Sequence, residues 1–183
     1  MENEVLKVIK SRRSIRKYKA EQIKDVELQT LLDAAIQAPS ANNIQPWHFT
    51  VIQNKEMINE MSDKIKSEMI KSDNKQLVKM SKNMESVFYQ APTIIIVSGK
   101  ESVQSALVDC SAAIENILLA AESIGLGTVW IGLARFLFKL EKEVEKLNLP
   151  TNYQPFYAVA VGYKASKIAG PSPRKEDVIN YIK

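Results

Sequence analysis

The sequence predicts one globular domain, spanning residues 1–183, in which helices and strands are interspersed. Three observations carry that expectation. A chain of 183 residues has the size of a single domain and is long enough to enclose a core. Its composition, 45% hydrophobic and 25% charged, is ordinary for a globular protein. Finally, the apolar residues change period along the chain, with helical spacing in some stretches and alternating or continuous runs in others.

Taken in order, Val5, Leu6 and Ile9 share one face of a short helix. It delivers Ser11-Arg12-Arg13-Ser14-Ile15-Arg16 at its C-terminal end, the wrong end to attract an anion by its dipole. Three guanidiniums this close repel one another, so the cluster is either a solvated basic helix end or an anion site. Arginine forks match phosphate oxygens in pairs. Asp25 is placed to cap a second helix with Val26, Leu31, Leu32, Ala35 and Ile36 on its apolar face, stopping before Pro39.

Pro39 to Pro46 is a loop by composition. Its Asn42, Asn43 and Gln45 side chains serve turn formation or read the polar edge of a planar ring, since amides both donate and accept. Trp47–Gln53 alternates as a strand, and Lys55 to about Ser72 is an amphipathic helix through Met57, Ile58, Met61, Ile65 and Met69. A less regular segment with Leu77, Met80, Met84, Val87 and Phe88 follows. These methionines are adaptable core, and the segment is a candidate cover for any ligand site.

Thr93–Val97 is a continuous apolar run, the pattern of a buried strand. From Ser102 to Ile124 a long and very apolar helix is expected, central either to the core or to a subunit interface, and Gly125 ends it. Gly125-Leu126-Gly127-Thr128-Val129-Trp130-Ile131-Gly132 follows a helix and leads into a strand, the reverse of the dinucleotide-binding order, so a Rossmann reading is rejected. Glycines there suggest that backbone comes close to something, as a flat cofactor would require. A helix over Phe136–Leu147, a strand over Pro155–Tyr163 and a tail with apolar Val178, Ile179, Tyr181 and Ile182 complete the chain. Such a tail is expected to dock on another surface.

The net charge of +4 is concentrated at the N-terminus, where Lys7, Lys10, Arg12, Arg13, Arg16, Lys17 and Lys19 stand against Glu2 and Glu4. No recognition motif accompanies it, so nucleic-acid binding is not expected. The single cysteine, Cys110, excludes an internal disulfide, and no apolar run reaches the roughly 20 residues of a membrane span. Cytoplasmic location is expected. The one histidine, His48, lies between Trp47 and Phe49 and reads as a structural group rather than a base; no metal-ligand set or serine-hydrolase elbow is present. Chemistry without acid–base side chains points to a cofactor.

Four stretches then meet one family. Arg12-Arg13-Ser14-Ile15-Arg16, Ala38 to Phe49, Gly125 to Gly132 and Val161-Gly162-Tyr163, in that order with the Ala112–Ala121 helix between them, closely resemble the FMN-dependent nitroreductase family along essentially the whole chain. The resemblance implies an α+β fold, a mainly antiparallel central sheet flanked by helices, assembled as an intertwined homodimer with FMN at the subunit interface. By the same resemblance, Arg12 and Ser14 hold the FMN phosphate with Arg13 beside them, and Arg174 adds a second contact. Some relatives carry another cation where this chain has Ser172. Arg16 is implied at the N1/O2 edge of the flavin.

Pro39, Ser40, Ala41 and Asn43 are implied to reach the flavin from the partner subunit, with Trp130, Ile131, Gly132 and Leu133 along the ring and the Gly132 N–H near N5. No side chain is then needed as a catalytic acid or base. The implied activity is a flavoprotein oxidoreductase in which FMN takes a hydride from NADH or NADPH and passes electrons, by ping-pong alternation, to a nitroaromatic, quinone or similar small acceptor. The rivals are an FMN-dependent dehydrogenase or oxidase not driven by nicotinamide, and a flavin-binding protein without catalysis.

Overall fold

In a computed structural model that describes residues 2–166, 170 and 173–183, helices cover both faces of one antiparallel sheet. Helices α1 to α6 are Glu4–Ser11, Asp25–Ile36, Lys55–Ile70, Lys75–Asn83, Ala106–Ser123 and Glu141–Glu145. Strands β1 to β4 are Trp47–Ile52, Thr93–Lys100, Leu126–Ile131 and Tyr153–Tyr163. They lie side by side in the order β1-β2-β4-β3, every neighbouring pair antiparallel. This is the α+β architecture the sequence implied.

The period-2 alternation of the strands sorts two cores. Ile94, Ile96, Ala158, Ala160, Val129 and Ile131 face α3 and the buried Val87 and Phe88. On the other face, Ile95, Val97, Val159 and Val161 meet Leu31 and Ala35 of α2 and Ala113, Ile114 and Ile117 of α5. The central strands β2 and β4 are buried on both sides, which is why β2 reads as a continuous apolar run. Where Pro155 cannot donate to the ladder, the β2–β4 register slips between Val97 and Ser98. Phe156 then packs over Gly99, where any side chain would overlap its ring.

Several local expectations are corrected. Lys24, not Asp25, precedes the first helical residue of α2, and the Lys24 N–H is taken by the Glu27 carboxylate at 2.8 Å. Val26 and Ile36, expected to face inward, are exposed. The long apolar helix begins at Ala106 rather than Ser102, because residues 101–105 turn after β2. Instead of one helix over Phe136–Leu147, a 3₁₀ segment runs from Gly132 to Lys139 and breaks at the extended Leu140 before α6. Its buried Ala134 and Leu137 are three residues apart, the spacing that a three-residue turn stacks on one side.

The described residues 173–183 are exposed and have no helix or strand, so this part of the tail is not packed against the rest of the described chain. Exposed apolar side chains also remain on α1 (Val5, Ile9), on α2 (Val26, Ile36) and on α5 (Leu107, Val108). Among the described residues no helix is long and apolar enough to cross a membrane.

Candidate functional site

After α1 the chain runs extended beside β3, fixed by the Ile15 N–H donating to the Thr128 carbonyl at 2.9 Å and by a parallel bridge between Ser14 and Thr128. Lys19 N–H continues the pairing onto the Tyr163 carbonyl. In extended backbone successive side chains point to opposite sides. Ile15 is buried on Gly127, whose missing side chain makes the room: a Cβ there would lie 2.8 Å from Ile15. Arg13 also turns inward, its Nη1 donating to the Lys10 and Arg12 carbonyls at 2.7 Å and its Nε buried without a partner. Ser14 and Arg16 stand exposed, with Arg12 half-exposed, on the alternate positions.

The end of α1 is pinned to α5. Ser11 Oγ donates to Glu122, which also accepts from Lys164 Nζ at 2.7 Å. Arg12 Nε lies 3.7 Å from Glu115 of α5, a loose pair that leaves its guanidinium available. Arg16 lies over the ring of Tyr89, 5.8 Å from its centroid, a cation–π contact. Sequence reasoning missed Tyr89, since no local pattern links residues so distant in the chain. It also missed Tyr18, whose hydroxyl donates to the Ile15 carbonyl at 2.7 Å and whose phenol burial pushes strongly upward in pKa.

Trp130 is half-buried, its ring edge-on to Tyr157 at 4.9 Å. Ile131 is buried in the core, so it has only backbone to offer a ligand. Gly132 opens the 3₁₀ segment, and the space where its side chain would stand is empty to beyond 4 Å. Leu133 is half-buried beside it. Arg12, Ser14, Arg16 and residues 130–133 are thereby gathered along the β3 edge.

Pro39, Ser40, Ala41 and Asn43 are elsewhere. They precede β1, at the opposite edge of the sheet. Three strand spacings of about 4.8 Å put the two edges roughly 14 Å apart, with covered sheet between them. Asn42, Asn43 and Gln45 adopt left-handed backbone, φ 51°, 54° and 50°, a region that asparagine tolerates better than most residues. Gln45 N–H donates to Ser40 Oγ at 3.0 Å and Gln45 Nε2 to Asn43 Oδ1 at 3.0 Å, so two of the three amides serve the loop's own shape. Arg174 is exposed and has no hydrogen bond or ion pair among the described residues; Ser172 lies outside them.

His48 packs edge-on to Tyr153 at 5.9 Å within the sheet. Cys110 is buried, its thiol pushed up to about 12 by burial first and by the Asp109 charge second, which makes it inert at neutral pH. Among the described residues no group of three or more metal-ligating side chains occurs. A cavity of about 620 Å³ lies under the β1–β2 end of the sheet between Gln22, Gln53, Asn59 and Gln90. None of the candidate residues lines it.

Three comparisons bear on this arrangement. A family model described as Nitroreductase family matches residues 9–163. A protein of Archaeoglobus fulgidus, provisionally described as an NADH dehydrogenase/NAD(P)H nitroreductase, is 37% identical over 166 residues, 87% of this chain and 85% of that one. Solved structures of nitroreductases with bound FMN from Bacteroides fragilis and Desulfitobacterium hafniense superpose with TM-scores of 0.89 and 0.92 at 34% and 32% identity, each covering 100% of both chains.

Proposed function

Because the chain belongs to the nitroreductase family, we propose that it is an FMN-dependent oxidoreductase that draws electrons from NADH or NADPH and delivers them, one substrate after the other, to a small acceptor of the nitroaromatic or quinone kind. One observation supports the reading most: Arg12, Ser14 and Arg16 all reach solvent from a segment clamped at Ile15 and Ser14 onto β3, the strand that runs into Gly132. Two guanidiniums and a hydroxyl fit a phosphate and the electron-rich edge of a flavin, and a position without a side chain fits a flat ring. FMN, when bound, accepts a hydride and gives up electrons; no protein side chain need do either.

This chain's own residues bind and orient. Arg12 and Ser14 hold the phosphate, and Arg174 approaches it from the tail. Arg13 stands beside them and fixes the segment by closing the end of α1. Arg16, steadied on Tyr89, supplies positive charge where reduction leaves negative charge. Trp130, Leu133 and the backbone of Ile131 and Gly132 border the ring.

Pro39, Ser40, Ala41 and Asn43 complete the site from a second copy of the chain. Their position on the far edge of the sheet supports that division, as do the exposed apolar residues of α1, α2 and α5 and the undocked tail. The whole chain, 1–183, acts as one FMN-binding domain per protomer. A cytoplasmic location suits a lone reduced Cys110 and a nicotinamide supply.

Titration of FMN into the purified protein, followed by quenching of flavin fluorescence, tests the reading. Arg12→Ala removes a charge-assisted contact of roughly 1.5–3 kcal/mol and no core contact. The variant is expected to bind FMN at least about tenfold more weakly with unchanged circular dichroism. Equal affinity in the variant would sink the assignment.

A further inference from the structure

We propose that Asp109 is a positioning residue for flavin binding: from the first turn of α5 it holds the loop of residues 39–46 in the shape that meets the flavin. The inference rests on the FMN reading above. Asp109 is only 6% exposed, and a buried carboxylate requires partners. It has two. Oδ2 accepts from Ser105 Oγ at 2.8 Å, and Oδ1 accepts from the Ala41 N–H at 3.4 Å.

Neither oxygen takes an N–H of α5 itself, so the residue is not a helix cap. Its second bond reaches out of the helix to the loop. Among the described residues the loop of residues 39–46 has two hydrogen bonds to other elements, this one and, at its far end, the Lys100 N–H of β2 donating to the Pro46 carbonyl at 3.0 Å; the others close within the loop, so Asp109 is its tether at the Ala41 end. Asn42, Asn43 and Gln45 are left-handed there, a conformation that persists only where the surroundings over-determine it. The tether joins Ala41, in the middle of the partner-facing set, to the rigid start of α5.

The test compares FMN affinity and melting temperature of the whole protein across four forms. Asp109→Ala removes the acceptor; Asp109→Asn keeps an oxygen for the Ala41 N–H. Ala41→Pro removes the donor and leaves Asp109 intact. Proline suits the first position of a helical turn, and Ser40, at φ −141° and ψ 151°, is already extended as a following proline requires. FMN affinity is expected to fall about tenfold in Asp109→Ala and in Ala41→Pro, to stay within about threefold of wild type in Asp109→Asn, and to fall no further in the Asp109→Ala/Ala41→Pro double variant, because both changes delete one contact.

Wild-type affinity in Asp109→Ala, or losses that multiply in the double variant, would overturn the inference. If Asp109→Ala does not fold, Asp109→Leu, which fills the space without an acceptor, is set against Asp109→Asn: a tenfold loss confined to Asp109→Leu supports the tether and equal affinities refute it. A wild-type protein that takes up no FMN would overturn the flavin reading and this inference together, whereas flavin binding that is indifferent to Asp109 overturns this inference only.

Discussion

Gly127→Ala is the smallest change that should loosen the arginine segment from the sheet. The added Cβ would stand 2.8–2.9 Å from three carbons of Ile15, against an ordinary carbon–carbon contact of about 3.5 Å, so Ile15 must retreat by about 0.7 Å. That movement stretches the 2.9 Å bond from the Ile15 N–H to the Thr128 carbonyl to about 3.6 Å, beyond hydrogen-bond range. Overpacking costs about 1–3 kcal/mol and the lost bond about 1 kcal/mol. A combined loss of about 2–4 kcal/mol lowers the melting temperature of a chain this size by about 4–16 °C. Arg12, Ser14 and Arg16 move with Ile15, and FMN affinity is expected to fall about tenfold, the equivalent of about 1.4 kcal/mol. Differential scanning fluorimetry of the flavin-free protein and a fluorescence titration read the two effects. Gly132→Ala is the control: with nothing within 4 Å it should leave the flavin-free melting temperature unchanged while weakening FMN. A Gly127→Ala variant with wild-type stability and affinity would refute the seating of Ile15 on Gly127.

Two other outcomes follow from titrating groups. The Tyr163 hydroxyl donates to Glu27 at 2.6 Å and is the main cause that holds the Glu27 carboxyl below its ordinary value. A lowered folded value adds stability that is complete above the unfolded value, roughly pH 4–5, and is lost as pH falls through the folded one. Tyr163→Phe should therefore lower the melting temperature at neutral pH and bring it toward wild type in acid; a constant difference at all pH values would count against the bond. Cys110, buried and raised to about 12, should resist a thiol-labelling reagent at pH 8 and react fully in guanidinium, and rapid labelling of the folded protein would contradict its place in the core.

Much of the fold was legible because the strands and long helices carry period-matched apolar residues: β2, α3 and most of α5 were placed from spacing alone. The break at Leu140 was not, since Phe136 to Leu147 has apolar residues compatible with three or 3.6 residues per turn, and only the packing of Ala134 and Leu137 selects the tighter one. The cap of α2 was misplaced by one residue because Asp25 is a good cap by type, while the structure uses the Glu27 carboxylate in the first turn instead. For the site, the residues of the arginine segment were visible but their facing was not. The inward turn of Arg13 depends on Ile15 meeting Gly127 across 112 positions of sequence. The glycines of residues 125–132 suggest a backbone approach of the kind a flat cofactor requires; at Gly127 the group that approaches is instead Ile15 of the same chain. Asp109 gave no signal, because a helix expected from Ser102 buries it in the second turn as one more polar position; only the start at Ala106 puts it in the first turn, within reach of Ala41.

The most direct measurement is anaerobic: the FMN-loaded protein is mixed with NADH, and separately with NADPH, while the flavin absorbance is followed. Rapid bleaching by at least one of the two, reversed on adding a quinone or nitroaromatic, is the expected result for an oxidoreductase that alternates between nicotinamide and acceptor. Flavin that binds yet keeps its oxidised absorbance with both would contradict it.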